Sequence, residues 1–162
     1  MSLSYSLELA TPLSVADVAR KLNEAAQSLR LLSPAVVAET LVGDGAETVY
    51  GTLVYVTPMT PLPWGSPQIG EHAFSPTVMV SFDLGKEGDI VGQQDDMARL
   101  AVELLARVPG DAVLHYESEA VWLVRLNGEL SLSEHSDIWP SNRLSGISGP
   151  YRRETYEYSV QD

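Results

Sequence analysis

Three short runs of apolar and β-branched residues follow one another between Asp111 and Leu132, with turn residues between them. The last two runs are joined by Asn127-Gly128, a dipeptide preferred in two-residue hairpin turns because it tolerates positive φ. Connections this short join antiparallel strands, since parallel strands need a long crossover. The segment therefore predicts a three-stranded meander with strands at about 112–117, 120–126 and 129–132.

Two amphipathic helices are predicted, one near the start of the chain and one in its second half. Ser14 is placed to cap the first helix, with Asp17 in its first turn, and apolar residues recur at three- and four-residue steps to about Leu32. The second helix spans about 90–108 by the same periodicity and ends at Pro109-Gly110.

Further strands are predicted from alternation and from β-branched residues. Period-two patterns occur at 3–9 and 77–83. Val36–Val42 and Thr48–Val56 flank Gly43-Asp44-Gly45, and the three together predict a hairpin. A late edge strand is expected over residues 155–160.

Residues 57–76 form a proline-rich segment that excludes a regular helix or a central strand. Its apolar residues Trp64, Ile69 and Phe74 predict a loop packed onto the body of the protein. A packed loop of this length is also a place where binding or catalytic residues are often found.

The elements give the order β-α-β-β-loop-β-α-β-β-β. This order predicts an α+β fold with an antiparallel or mixed sheet of about six to eight strands and both helices on one face. With 162 residues and no internal repeat, the chain is expected to form a single domain, residues 1–162, with 133–162 as a C-terminal extension.

The net charge of −12 is the strongest feature of the composition. Eleven acidic residues lie between Glu87 and Asp137, against three arginines. Such a field repels nucleic acid and anionic membranes and accelerates encounter with a basic partner. The charge also suits a protein that needs only solubility, and both interpretations remain open.

Several patterns place the protein in the cytoplasm. No apolar run is long enough for a membrane-spanning helix, and the first residues lack the basic and apolar blocks of a signal peptide. The sequence contains no cysteine, which excludes disulfides and thiolate metal sites.

Motifs for catalysis or cofactor binding are missing from the sequence. The three histidines, His72, His115 and His135, lack the spacing of ligands on one helix face, so neither a metal nor a cofactor is predicted. His115 lies in a predicted strand and is expected to be structural. Asp95 with Asp96, or Glu117 with Glu119, could act in acid–base chemistry if one carboxylate were desolvated, but Glu117 and Glu119 lie at a predicted turn and are expected to be solvated.

From about Thr77 onward the chain resembles the Sit-type immunity proteins of myxobacteria, which protect a cell from a toxin passed between siblings on contact. The resemblance rests on VMVSFDLGKEGD, MARLAVELLARVPGD, AVLHYESEAVWLVRLNGELSL, SDIWP and GPY. It implies a non-catalytic protein that binds and blocks a partner toxin. The acidity adds the hypothesis that this toxin is a basic nuclease.

Acidic residues and one tryptophan are predicted to form the partner-binding surface. They are Asp95, Asp96, Glu117, Glu119, Glu134, Asp137 and Trp139. Trp139 follows a segment too polar to bury readily, and an aromatic ring among acids is typical of an interface anchor. Covering the end of the sheet is the alternative role for this ring.

Two other classes of function remain open from the sequence. One is a small enzyme or ligand-binding domain in which residues 57–76 form a lid. The other is a structural subunit of a larger assembly, and a homo-oligomer is compatible with either class.

Overall fold

A computed structural model describes residues 3–61, 63 and 65–161, so Trp64 lies outside the described residues. The elements, in chain order, are β1 (Leu3–Ala10), α1 (Val15–Ser28), α2 (Ala38–Val42), β2 (Ala46–Glu47), β3 (Leu53–Pro58), β4 (Ser66–Ile69), β5 (His72–Ala73), β6 (Val78–Leu84), α3 (Ile90–Leu105), β7 (Asp111–Tyr116), β8 (Ala120–Leu126), β9 (Glu129–Leu132), α4 (Ser141–Leu144), β10 (Arg152–Arg153) and β11 (Tyr158–Gln161). None of the helices in the described part of the chain is long and apolar enough to cross a membrane.

Eight strands form one mixed sheet in the order β10-β9-β8-β7-β1-β6-β3-β2. The β7-β8-β9 meander is present as predicted, and β1 lies in the middle of the sheet between β6 and β7. The one parallel pair among the described strands joins β10 to β9. The predicted α+β class and strand number are confirmed.

Helices α1 and α3 cover one face of this sheet, as predicted. The Ser14 side chain accepts a hydrogen bond from the Asp17 amide at 3.1 Å, so the predicted cap is confirmed. Both helices pack their apolar faces onto the sheet. The largest side chains buried in this layer include Leu7, Leu9, Leu22, Phe82, Met97, Leu100 and Leu104.

The opposite face carries a second, smaller sheet in the order β11-β4-β5. Ile69, Phe74 and Tyr158 from this small sheet form a separate apolar cluster with Val113, Val121 and Val124 of β7 and β8. The fold therefore has three layers, which are the helices, the main sheet and the small sheet.

The hairpin predicted for residues 36–56 is wrong in its first strand. Residues 38–42 form the short helix α2, which buries Leu41 completely in the core. The turn lies within the predicted second strand, where the Thr48 amide donates to the Thr52 carbonyl at 2.8 Å. The β-branched composition of this region was outweighed by the burial of Leu41, which a single helical turn achieves.

The exclusion of a central strand from residues 57–76 is also wrong. This segment contains β4 and β5, and Pro67 lies in β4, the middle strand of the small sheet. The Pro67 carbonyl accepts a hydrogen bond from the Phe74 amide at 3.0 Å. This bond does not require an N–H on Pro67, so a proline is tolerated at this position. The predicted packing of Ile69 and Phe74 onto the body is confirmed, since both side chains are buried.

Gly110 is predicted to be the glycine least tolerant of a side chain. It has φ of +111°, and a Cβ there would lie 1.9 Å from the Ala10 carbonyl oxygen. Gly128 is the matched control because it has φ of +82° with nothing within 4 Å of the same atom. Gly128→Ala should lower the unfolding free energy by about 1–2 kcal/mol through its positive φ.

Gly110→Ala should cost about 1–3 kcal/mol beyond that, because the close approach must also be relieved. Urea denaturation of both variants gives the difference. Equal losses in the two variants would show that β1 and β7 can separate freely at this point.

Candidate binding cleft

A buried carboxylate joins the two sheets. Glu8 lies between Leu7 and Leu9 on β1, so the alternation that buries its neighbours under the helices directs Glu8 toward the small sheet. Its Oε2 lies 2.5 Å from His115 Nε2, and its Oε1 accepts a hydrogen bond from the Tyr158 hydroxyl at 2.6 Å. Glu8 is only 5% exposed.

The hydrogen bonds around His115 fix the position of its proton. Its Nδ1 accepts from the Ser118 backbone N–H at 3.0 Å, so the proton lies on Nε2 and is donated to Glu8. Burial raises the pKa of Tyr158 above its usual range, and its hydrogen bond to Glu8 adds to this effect. The expectation that His115 is structural agrees with a ring whose two nitrogens are both occupied by the protein.

The Glu8 bonds hold β11 over the main sheet, and a cleft of about 560 Å³ opens beside that strand. The walls of the acidic cleft come from residues 118–121, residues 135–138 and residues 155–159. Each segment contributes one carboxylate, and these are Glu119, Asp137 and Glu157. All three residues are exposed, so water keeps the carboxylates available to a partner.

Four of the predicted acids lie near this cleft. Glu119 and Asp137 line it, and the exposed residues Glu117 and Glu134 each precede one of these two segments by one position. Glu134 also shapes the wall, because its carboxylate accepts from the Thr155 amide at 3.2 Å. Two of the three segments that line the cleft therefore carry acids that were predicted for the partner-binding surface.

Asp95 does not lie among the residues of the cleft. Its carboxylate accepts from Arg143 Nε at 2.6 Å, and Arg143 is only 5% exposed. The guanidinium also lies 4.9 Å from the centre of the Trp122 ring. Asp95 therefore balances a buried cation and, although its side chain is 31% exposed, it lies outside the cleft.

Asp96 was predicted to belong to the partner-binding acidic surface, but it is buried. It is 9% exposed, and its Oδ2 has no hydrogen-bond partner among the residues that the structure describes. Burial raises the pKa of this carboxyl, although Arg99 acts in the opposite direction. Asp96 lies four positions before the buried Leu100 on α3, so both side chains are on the side of the helix that faces the core.

Trp139 lies in the core, and the partly exposed position predicted for an interface anchor is wrong. Its side chain is 1% exposed, and its Nε1 donates to the Trp122 carbonyl at 2.7 Å. The β7–β8 pairing shifts register opposite Leu114 and His115, which leaves Trp122 as an extra residue in β8. The alternative role, covering the sheet, fits this burial.

Sequence reasoning missed three residues that shape the cleft: Glu8, Glu157 and Tyr158. Glu8 looks like any outward polar residue in an alternating strand, and its partners lie 107 and 150 residues away. Tyr158 fell in the predicted late strand, whose partner β4 was hidden in the proline-rich segment. Across residues 3–61, 63 and 65–161, no three histidine or acidic side chains are grouped to hold a metal.

Replacement of Asp96 by Asn should stabilise the protein at neutral pH by about 1 kcal/mol, because it removes a buried charge with an unpartnered oxygen. The raised pKa means that this penalty is present above the folded-state pKa. It disappears as pH falls toward the unfolded value of about 3.9. Urea denaturation between pH 3.5 and 7, as ~0.5-unit steps, measures the gain.

The neighbouring substitution Asp95→Asn is the control and should destabilise the protein, since it leaves Arg143 buried without its counter-charge. A loss of stability in Asp96→Asn at neutral pH would contradict the assignment of Asp96 as a strained buried acid.

A family model described as SitI3-like matches residues 3–143 of the chain. The matched region contains Glu119 and Asp137 and ends before Glu157. No curated protein and no solved structure matches the chain. Because the match covers most of the sequence, the chain belongs to the SitI3-like family, within the Sit immunity proteins.

Proposed function

We propose that this protein is a non-catalytic immunity protein that binds its cognate toxin through the acidic cleft and so neutralises it in the cytoplasm. The observation that carries the proposal is the convergence of Glu119, Asp137 and Glu157 on one cleft. These carboxylates come from three separate segments, so the fold and not local sequence brings them together.

The charge of the cleft indicates a basic partner. Among the described residues that line it, His135 is the one basic side chain, and neither lysine nor arginine is present. A partner's lysine or arginine would meet carboxylates without competition from the protein's own cations. The overall charge of −12 steers such a partner toward the protein.

A basic nuclease is the toxin that this surface fits best. A nuclease binds phosphates with lysine and arginine side chains, and a carboxylate-lined surface can occupy the same groups. Blocking by binding requires a stable scaffold and complementary charge, and it needs no reacting group in the immunity protein.

The state of the buried histidine supports a non-catalytic role. Both nitrogens of His115 and both oxygens of Glu8 are engaged within the protein. Both side chains are buried and already hydrogen-bonded to groups of the protein itself, as structural residues are. We therefore assign this group a structural role, in which the Glu8–His115 pair joins neighbouring strands and the Glu8–Tyr158 bond joins the two sheets.

One observation favours ligand binding as a second candidate function. A groove of about 370 Å³ lies beneath the proline-rich segment and is lined by Met59, Pro61 and Phe74, with Glu8 and Tyr158 at its inner side. An apolar ligand would suit these walls, with residues 57–76 as its lid. The acidic cleft is preferred, because Glu8 and Tyr158 at the inner side of the groove are already hydrogen-bonded within the protein.

Reversing the charge of the cleft should abolish protection. The triple variant Glu119→Lys, Asp137→Lys and Glu157→Lys places three cations where the toxin's cations bind, and should weaken binding about 100-fold or more. Calorimetry with the toxin domain encoded by the adjacent gene measures this affinity. Survival of cells that express the toxin measures protection.

The matched control carries Glu24→Lys, Glu39→Lys and Glu87→Lys, three exposed acids outside the cleft with the same total change in charge. It should bind within a few-fold of the native protein. Equal loss of affinity in both triple variants would mean that net charge alone matters, and unchanged affinity in the cleft variant would exclude the cleft as the binding site. Thermal unfolding verifies that both variants are folded.

A further inference from the structure

The strand beside the acidic cleft is an edge strand with one open side. The small sheet runs β11-β4-β5, so β11 pairs with β4 on one side and with none of the described strands on the other. We propose that the toxin adds an extended segment to this open edge, within the acidic cleft. This inference rests on the proposed function and specifies how the toxin is held.

The register of the small sheet identifies the backbone groups on the open edge. The Gly70 amide donates to the Glu157 carbonyl at 2.7 Å, which makes these two residues a hydrogen-bonded pair. In an antiparallel pair, alternate residues point their N–H and C=O groups toward the partner strand. Tyr158 pairs with Ile69 and Val160 with Pro67 in the intervening positions, so their backbone groups point away from β4.

The cleft gives an incoming strand space at this edge. Residues 155–159 form one wall, and the opposite walls are residues 118–121 and 135–138, while Pro67, Gln68 and Ile69 of β4 are not among the lining residues. The cleft of about 560 Å³ therefore lies beside Tyr158 and Ser159, the first two residues of β11. An added strand lies about 4.8 Å from its neighbour, and its main chain supplies hydrogen bonds whatever its side chains are.

The charges around the edge select the partner. Successive side chains of an added strand point to opposite faces, so one set of alternate side chains meets the cleft walls. Glu119 and Asp137 stand on those walls, and Glu157 lies at the start of the edge. The segment that fits has lysine or arginine at alternate positions.

A second copy of this chain fits the edge poorly. Open edges invite pairing between identical chains unless charge prevents it. Two copies would bring together the same carboxylates, and each copy carries a net charge of −12. The acids that attract a basic toxin segment thus also protect the edge from self-association.

Val160→Pro tests a backbone contact farther along the open edge. Val160 lies one residue beyond the cleft wall and lines the neighbouring groove under the proline-rich segment. Proline is tolerated on an edge strand where the N–H faces solvent, and it favours an extended conformation at Ser159 before it. The substitution removes one donor from the open edge and leaves the bonds to β4 in place. Val160→Ala is the control for the side chain, which is 39% exposed.

Val160→Pro should weaken binding to the same toxin domain about tenfold or more, with unchanged thermal unfolding, while Val160→Ala stays within about threefold. Equal affinity of the two variants would overturn strand addition. If Val160→Pro has no effect but the charge reversal of the cleft still abolishes binding, strand addition is excluded and binding through the cleft is retained. Formation of a dimer by the native protein alone in sedimentation at micromolar concentration would instead assign the edge to a second copy.

Discussion

The buried Glu8 carboxylate is the interaction on which the cleft depends. It accepts hydrogen bonds from His115 on β7 and from Tyr158 on β11, and so connects three strands that lie far apart in the sequence. A carboxylate buried this deeply is costly unless both oxygens are satisfied. Losing either partner would leave a buried acceptor unpaired. The bond from Tyr158 to Glu8 therefore fixes the small sheet in one position over the main sheet.

The other side of the cleft is held by a second polar network under the helices. The extra residue in β8, Trp122, presents its carbonyl to Trp139 and its ring to Arg143. Arg143 in turn binds Asp95 on α3 and the Ile138 carbonyl. The segment that carries His135 and Asp137 is therefore anchored by burial just beyond its acidic part, while the acids themselves stay in water.

The parts of the fold that sequence predicted are those governed by local periodicity. The meander, both long helices and the Ser14 cap depend on residues a few positions apart, and each was found. The misplaced elements depend on distant partners. A short helix formed where burial of Leu41 mattered more than β-propensity, and β4 formed because β11 pairs with it from the far end of the chain.

The candidate site shows the same division between residues set by local sequence and residues set by distant partners. Glu119 and Asp137 were found because exposed acids on turns need no partner to stay at the surface. Asp95 and Trp139 were misread because their partners, Arg143 and the Trp122 carbonyl, are brought to them by tertiary contacts. Glu8 gives no signal at all, since its role exists only once the small sheet is in place.

Hydrogen exchange of the protein free and bound to the toxin tests the central claim most directly. If the toxin occupies the cleft beside β11, exchange should slow at residues 118–121, 135–138 and 155–161 and stay unchanged in α1 and α2. Protection confined to α1, α2 or the outer surface of α3 would contradict a binding site at the acidic cleft.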